Sequence, residues 1–211
     1  MTNPILRWAL SPVLRLAIRL SPESDPWGHL GYVAPLKALG SGSRKDFSWY
    51  FEGESAVEAR SIAEIRAWLA GCEYESDANL FQEPDFWQHP RTFEQLRKGD
   101  CEDFALWAWR KLVEMGIDAD LVVGRTMPLL EGDSRHAWIV FRKDGKEYLF
   151  EPAWRGDTAI RPLAEVRKDY NPEFGVGANR KRFSYAGYVR YLQWAEQTEK
   201  AATNGNGKAP G

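Results

Sequence analysis

Apolar residues recur at helical spacing in several stretches of the chain and alternate with polar ones in others. The strongest helical run is Phe104-Ala105-Leu106-Trp107-Ala108-Trp109, continuing to Leu112 and Val113. Asp100 stands at the N-cap, where a carboxylate accepts from backbone N–H groups that lack an intrahelical partner. Asp103 is the reciprocal capping residue, and Gly116 supplies a left-handed stop. The pattern predicts a helix of about four turns with Cys101 in its first turn. Ser55 to Ala70 repeats the helical period through Val57, Ile62, Ile65, Trp68 and Leu69, and Ser184 to Lys200 does so through Tyr188, Tyr191, Leu192 and Trp194. Strand-like alternation marks Ile117 to Arg125, Arg135 to Arg142 and Lys146 to Glu151, while aromatic Phe47 to Phe51 reads as a short strand.

The remaining stretches divide the chain. Asn3-Pro4 and Ser11-Pro12 are helix starts, so residues 4–20 form two short helices or one kinked helix. Arg7, Ser11, Arg15 and Arg19 draw a narrow polar stripe along it, and the rest is apolar. Packing of that face on its own domain is favoured, with an acidic membrane surface or a partner as the alternative. Residues 21–48 are rich in Pro, Gly and Ser, with Gly40-Ser41-Gly42-Ser43 as a flexible link. Residues 72–99 lack periodicity, 154–180 read as an irregular covering segment, and 201–211 as a disordered tail. The division is therefore an extension with linker over 1–45, one domain over 46–200, and the tail.

Composition narrows the class. A net charge of −2 gives no reason to expect nucleic acid as partner. Two cysteines make no disulfide framework, and no paired Cys or His spacing suggests zinc. A reducing, cytoplasmic setting is the plainer reading, with a membrane-peripheral one tied to residues 4–20. No apolar run approaches the ~20 residues of a membrane span.

The chemistry gathers around Cys101. A thiol in the first turn of a helix feels the positive end of the helix dipole, which favours thiolate. Asp100, Glu102 and Asp103 work against that, so a cationic partner is required. Asp144-Gly145 is a hairpin turn signal. With an even-length loop it places His136 opposite Ala153 and Glu151 one diagonal step away on the same face, at roughly 7–8 Å. Glu151 can then orient His136 and stabilise its charged form, giving a candidate Cys-His-acid triad. Cys72 is read as a small core residue, and His29 and His89 as structural or surface groups. The three acids beside Cys101 are read first as caps and dipole partners, with metal coordination the alternative.

Three blocks, Gly99-Asp100-Cys101-Glu102-Asp103-Phe104-Ala105, Arg135-His136-Ala137-Trp138 and Phe150-Glu151-Pro152, resemble the signatures of the transglutaminase-like superfamily, most closely its bacterial transglutaminase-like cysteine proteinases. Asp85-Phe86-Trp87-Gln88-His89-Pro90 resembles that branch's Asp-x-Trp-x-x-Pro segment. The resemblance implies an α+β, papain-like fold in which a Cys-bearing helix packs on an antiparallel sheet. It implies Cys101 as nucleophile, His136 as general base and acid, and Glu151 as the orienting acid, a position more often Asp in the family. Some periplasmic members bind calcium through the acids flanking the Cys, which correspond to Asp100 and Glu102; they carry secretion signals, and no such signal is read here. No cofactor is required by the chemistry, and calcium stays open.

The expected activity is cysteine-dependent hydrolysis or acyl transfer at amide bonds of a protein or peptide, with peptidase favoured over transglutaminase. The Cys101 backbone N–H is one oxyanion donor, and Trp87 or Gln88 is the expected second. The rivals are a non-catalytic, calcium-dependent binding module and a scaffold docked through residues 4–20.

Overall fold

The computed structural model describes residues 25–31, 33–35, 37–126 and 135–205, the last ten as backbone only. The expected helix over 4–20, most of the loop after Thr126 and the end of the tail lie outside these residues. Among the described residues no helix is long and apolar enough to cross a membrane.

Alternation builds the sheet. Strands β1 (His29–Leu30), β2 (Glu73–Tyr74), β3 (Lys98–Gly99), β4 (Asp118–Thr126), β5 (His136–Lys143), β6 (Lys146–Phe150), β7 (Ile160–Pro162), β8 (Tyr170–Val176) and β9 (Arg182–Tyr185) are described. Seven of them form one antiparallel sheet in the order β1-β9-β8-β4-β5-β6-β7, and β2 pairs with β3 in a separate parallel ribbon. Successive side chains point to opposite faces. Leu121, Val123, Ala137, Ile139 and Phe141 accordingly enter one core, and Val122, Trp138 and Val140 enter another on the opposite face.

The helices are α1 (Ile62–Ala70), α2 (Asp77–Leu80), α3 (Pro90–Leu96), α4 (Cys101–Glu114), α5 (Leu163–Val166) and α6 (Ala186–Gly205). Helix α4 lies on the first face and is buried along most of its length, with Trp107 and Trp109 fully enclosed. Two cations on it are enclosed as well, and each is satisfied. Arg110 donates to the carbonyls of Tyr50 and Gly53 and pairs with Glu114, while Lys111 meets Glu94, Ser55 and Glu114. The molecule is thus α+β, with the Cys-bearing helix on an antiparallel sheet.

The predicted ends of α4 are found. Asp103 Oδ2 accepts from the Asp100 N–H at 3.4 Å, and Gly116 sits at φ 76° while Ile117 N donates to Leu112 O at 2.9 Å. Asp144 and Gly145 both have positive φ, the two-residue turn that matches strand twist, and Lys143 pairs with Lys146 across it.

Other expectations are corrected. Phe47–Phe51 is a single turn of 3₁₀ helix rather than a strand; Asp46 caps it, and Phe47 and Tyr50, three apart, both turn inward. The helix expected from Ser55 begins only at Ile62, because the Ser61 side chain caps it by accepting from Glu64 N–H, while Ser55 and Ala56 give their donors to the Glu94 carboxylate instead. Residues 72–99 contain α2, α3 and the β2–β3 ribbon, and His89 caps α3 through its ring nitrogen. The expected covering segment 154–180 supplies β7 and the internal strand β8. Pro172 lacks a ladder donor, and the register of β4 against β8 shifts beside it, between Val123 and Gly124. The linker reading fails from Pro26 onward: β1 joins the sheet, Trp27 donates to Arg167 O, and Asp85 accepts from Ser41 and Gly42. Residues 201–205, expected in the tail, continue α6.

Candidate active site

The site lies where the first turn of α4 meets the start of β5. Cys101 and His136 line one cavity of about 590 Å³, with Trp87, Asp77, Asp85, Asp100 and Glu102 in its wall. His136 opens β5, one residue before the sheet side chain Ala137 that packs in the α4 core. Glu151 follows β6, fully buried, its backbone N–H held by Ala159 O at 2.8 Å.

The diagonal geometry expected from the hairpin is realised: His136 Nε2 lies 2.7 Å from Glu151 Oε2. Donation from Nε2 leaves Nδ1 as the basic ring nitrogen. The opposite carboxylate oxygen, Oε1, accepts the Tyr170 hydroxyl at 2.7 Å, and Tyr170 oxygen accepts from Arg161 Nη2 at 3.1 Å. Sequence reasoning missed Tyr170, which opens a strand that is not adjacent to β6 and carries no local signal.

The nucleophile candidate is in a different state from the one a helix dipole alone would produce. Cys101 Sγ donates to Glu102 Oε2 at 3.2 Å, and no hydrogen bond joins it to His136. Burial raises the thiol well above its ordinary range, and the Glu102 and Asp100 carboxylates raise it further; the Ala137 N–H facing the sulfur acts in the opposite direction. Burial first, and the two carboxylates after it, favour the neutral thiol here.

Those acids form a cluster larger than the local motif. Asp77, Asp100 and Asp103 have ligand oxygens within 4.8 Å of one another, as do Asp77, Asp85 and Glu102. Burial raises Asp77 to about 6, with the charges of Asp100 and Asp85 adding to it. Burial likewise raises Asp100, Glu102 and Asp103, and Glu102 is raised further by its hydrogen bond and charge contact with Asp100. Oδ1 of Asp77 and Oδ1 of Asp100 are buried without a hydrogen-bond partner. Several hard oxygens with unused lone pairs fit a divalent cation such as calcium. Asp77, brought in by the β2–β3 ribbon and α2, was not legible as part of this group.

The two oxyanion candidates part here. Trp87 walls the cavity, whereas Gln88 is enclosed beneath it. Gln88 donates to both Asp103 oxygens, through its backbone at 3.0 Å and its side chain at 2.5 Å, and to Lys98 O at 2.9 Å. Its donors are engaged in holding Asp103, so the oxyanion role expected for Gln88 is withdrawn. His89 bonds Trp49 O, in keeping with a structural role, and Cys72 is buried in the core.

No family model and no curated protein matches the sequence. Among solved structures, the chain is similar to Legionella pneumophila LapG in an EGTA-treated form, at 19% identity and a TM-score of 0.42, over 53% of this chain and 59% of that one. It is similar to the calcium-bound form of the same protein at 20% identity and 0.42, over 53% and 61%. A structure described as a TGase matches at 18% identity and 0.34, over 57% of this chain and 33% of that one. The chain therefore spans about three-fifths of the length of the LapG structures.

Proposed function

We propose that this chain is a transglutaminase-like cysteine peptidase, cleaving amide bonds of a protein or peptide through Cys101, His136 and Glu151. The observation that carries the reading is the 2.7 Å contact between His136 and a fully buried Glu151, facing a cavity that also holds a cysteine at a helix start. A buried carboxylate on one imidazole nitrogen fixes the tautomer and orientation of the ring. His136 Nδ1 takes the Cys101 proton, and the thiolate attacks the amide carbonyl to form a C–S bond. The oxyanion meets the Cys101 backbone N–H, which has no intrahelical partner, with the Trp87 indole as second donor. The C–N bond breaks as the imidazolium protonates the departing amine. Water, deprotonated by His136, then cleaves the thioester and restores the thiol; an incoming amine at this step would give transamidation instead.

Asp77 and Asp100 with Asp103, or Asp77 and Glu102 with Asp85, would hold a calcium ion. Bound there, it supplies positive charge beside the two carboxylates that suppress the thiolate. The two free cysteines fit a reducing, cytoplasmic setting.

The test is the rate of Cys101 alkylation by iodoacetamide across pH, in wild type and His136→Ala, with calcium and with chelator, read by mass spectrometry. Calcium should accelerate Cys101 below the ordinary thiol range, and His136→Ala should abolish the gain. A thiol that stays slow and indifferent to His136 in both conditions refutes the enzyme reading. The acid cluster would then favour a calcium-dependent binding module, checked by calorimetric titration of calcium into the chain.

A further inference from the structure

The carboxylate of Glu151 is bonded at both ends. Oε2 faces His136, and Oε1 receives the hydroxyl of Tyr170 at 2.7 Å, with Glu151 fully buried and Tyr170 3% exposed. Tyr170 is itself fixed from three sides. Its backbone pairs with Thr126 at the end of β4, its ring lies edge-on to Trp138 with centroids 5.1 Å apart, and Arg161 Nη2 donates to its oxygen at 3.1 Å. Trp138 also flanks the His136 ring, at 6.0 Å. Arg161 comes from β7, where it pairs with Leu149 of the strand leading to Glu151, and its guanidinium lies over Trp154.

Glu has one more methylene than the Asp usual at this position in the family resembled, and so one more torsion to restrain. A carboxylate held at one oxygen can rotate about its last bond; one held at both cannot without losing a bond in a site closed to water. Burial and the neighbouring Glu151 charge raise Tyr170 far above its ordinary range, which keeps the hydroxyl a donor. Donation from Arg161 to the same oxygen polarises the O–H and strengthens its bond to Glu151.

We infer that Tyr170 is a positioning residue, backed by Arg161, that fixes the Glu151 carboxylate so that its other oxygen orients His136. The inference rests on the peptidase reading for its purpose, though not for its geometry. It makes the acid end of the site a four-residue relay, Arg161–Tyr170–Glu151–His136, drawn from β7, β8, the end of β6 and β5.

Proton NMR of the full chain tests it, because an imidazole N–H bonded to a carboxylate at this distance resonates far downfield and is protected from exchange. The resonance is assigned by its loss in His136→Ala. Tyr170→Phe removes only the hydroxyl; it should move the resonance upfield or broaden it by exchange, with circular dichroism unchanged. Arg161→Met should act in the same direction and less strongly, and it decides the matter if Tyr170→Phe does not fold. His136-dependent alkylation of Cys101 should fall about tenfold in Tyr170→Phe, the scale expected for losing a hydrogen bond to a charged group. An unmoved resonance in the folded variants overturns the inference, as does its absence from wild type. A resonance that responds to Tyr170→Phe while alkylation ignores His136 would retain the relay and refute the peptidase reading.

Discussion

Replacing Asp77 by Asn should stabilise the protein at neutral pH in the absence of calcium. Asp77 is 3% exposed; its Oδ2 accepts from the Phe86 N–H at 2.6 Å, and its Oδ1 has no partner. Burial, then the charges of Asp100 and Asp85, raise it from an ordinary value of 3.8 to about 6. The folded state therefore holds this proton to higher pH than the unfolded state does. The associated stability is fully present below the unfolded value of 3.8 and is lost as pH rises through about 6. About two pH units at ~1.4 kcal/mol each gives a loss of about 3 kcal/mol above that window. Asn keeps an acceptor for Phe86 and never ionises. Removing the charge also relieves Asp103, which Asp77 helps to raise. Urea unfolding with chelator should show Asp77→Asn more stable than wild type by up to about 3 kcal/mol near pH 7.5, and equal to it near or below pH 4. Calcium should then raise the stability of wild type and much less that of the variant. A variant that is no more stable than wild type near neutral pH in chelator would refute the reasoning, since it would mean that the ionised Asp77 is compensated within the folded protein.

Two further outcomes are expected. Glu102→Gln removes the nearest charge raising Cys101, so in chelator the thiol should titrate at lower pH and alkylate several-fold faster near neutrality, read by mass spectrometry of the labelled peptide. Gly145→Ala puts a side chain at φ 71° in the hairpin turn; it should cost about 1–2 kcal/mol in thermal unfolding and leave Cys101 alkylation unchanged, because the turn lies at the opposite end of β5 from His136.

Much of the site was legible because two local devices set it. Asp100, Asp103 and Gly116 define both ends of α4, which puts Cys101 in its first turn regardless of what packs around the rest. The Asp144-Gly145 turn sets the register of β5 against β6, and strand alternation then carries Glu151 to the His136 side. Ser61 held an equally local signal, the side-chain cap that accepts from Glu64 N–H and starts α1, and the apolar periodicity upstream obscured it. Phe47–Phe51 was ambiguous, since aromatic composition suits a strand while the inward pair three residues apart suits a 3₁₀ turn.

Other features depend on pairings distant in sequence. β8 contains Pro172 and Gly175, both unfavourable in a strand interior, and it is accommodated by the register shift at Gly124 and by Phe183 packing where a Gly175 side chain would stand. Gln88 reads equally well as a cavity donor or a buried support; the position of Asp103 beneath it decides. By itself the sequence determined the Cys-bearing helix, the hairpin and the approach of Glu151 to His136, because caps, turns and alternation act over a few residues. Only the tertiary structure decided that Asp77 joins the acids beside Cys101 and that Tyr170 holds Glu151. Those contacts arise from the β2–β3 ribbon and from the order of strands in the sheet, and burial, which depends on the whole fold, sets how strongly the acids suppress the thiolate.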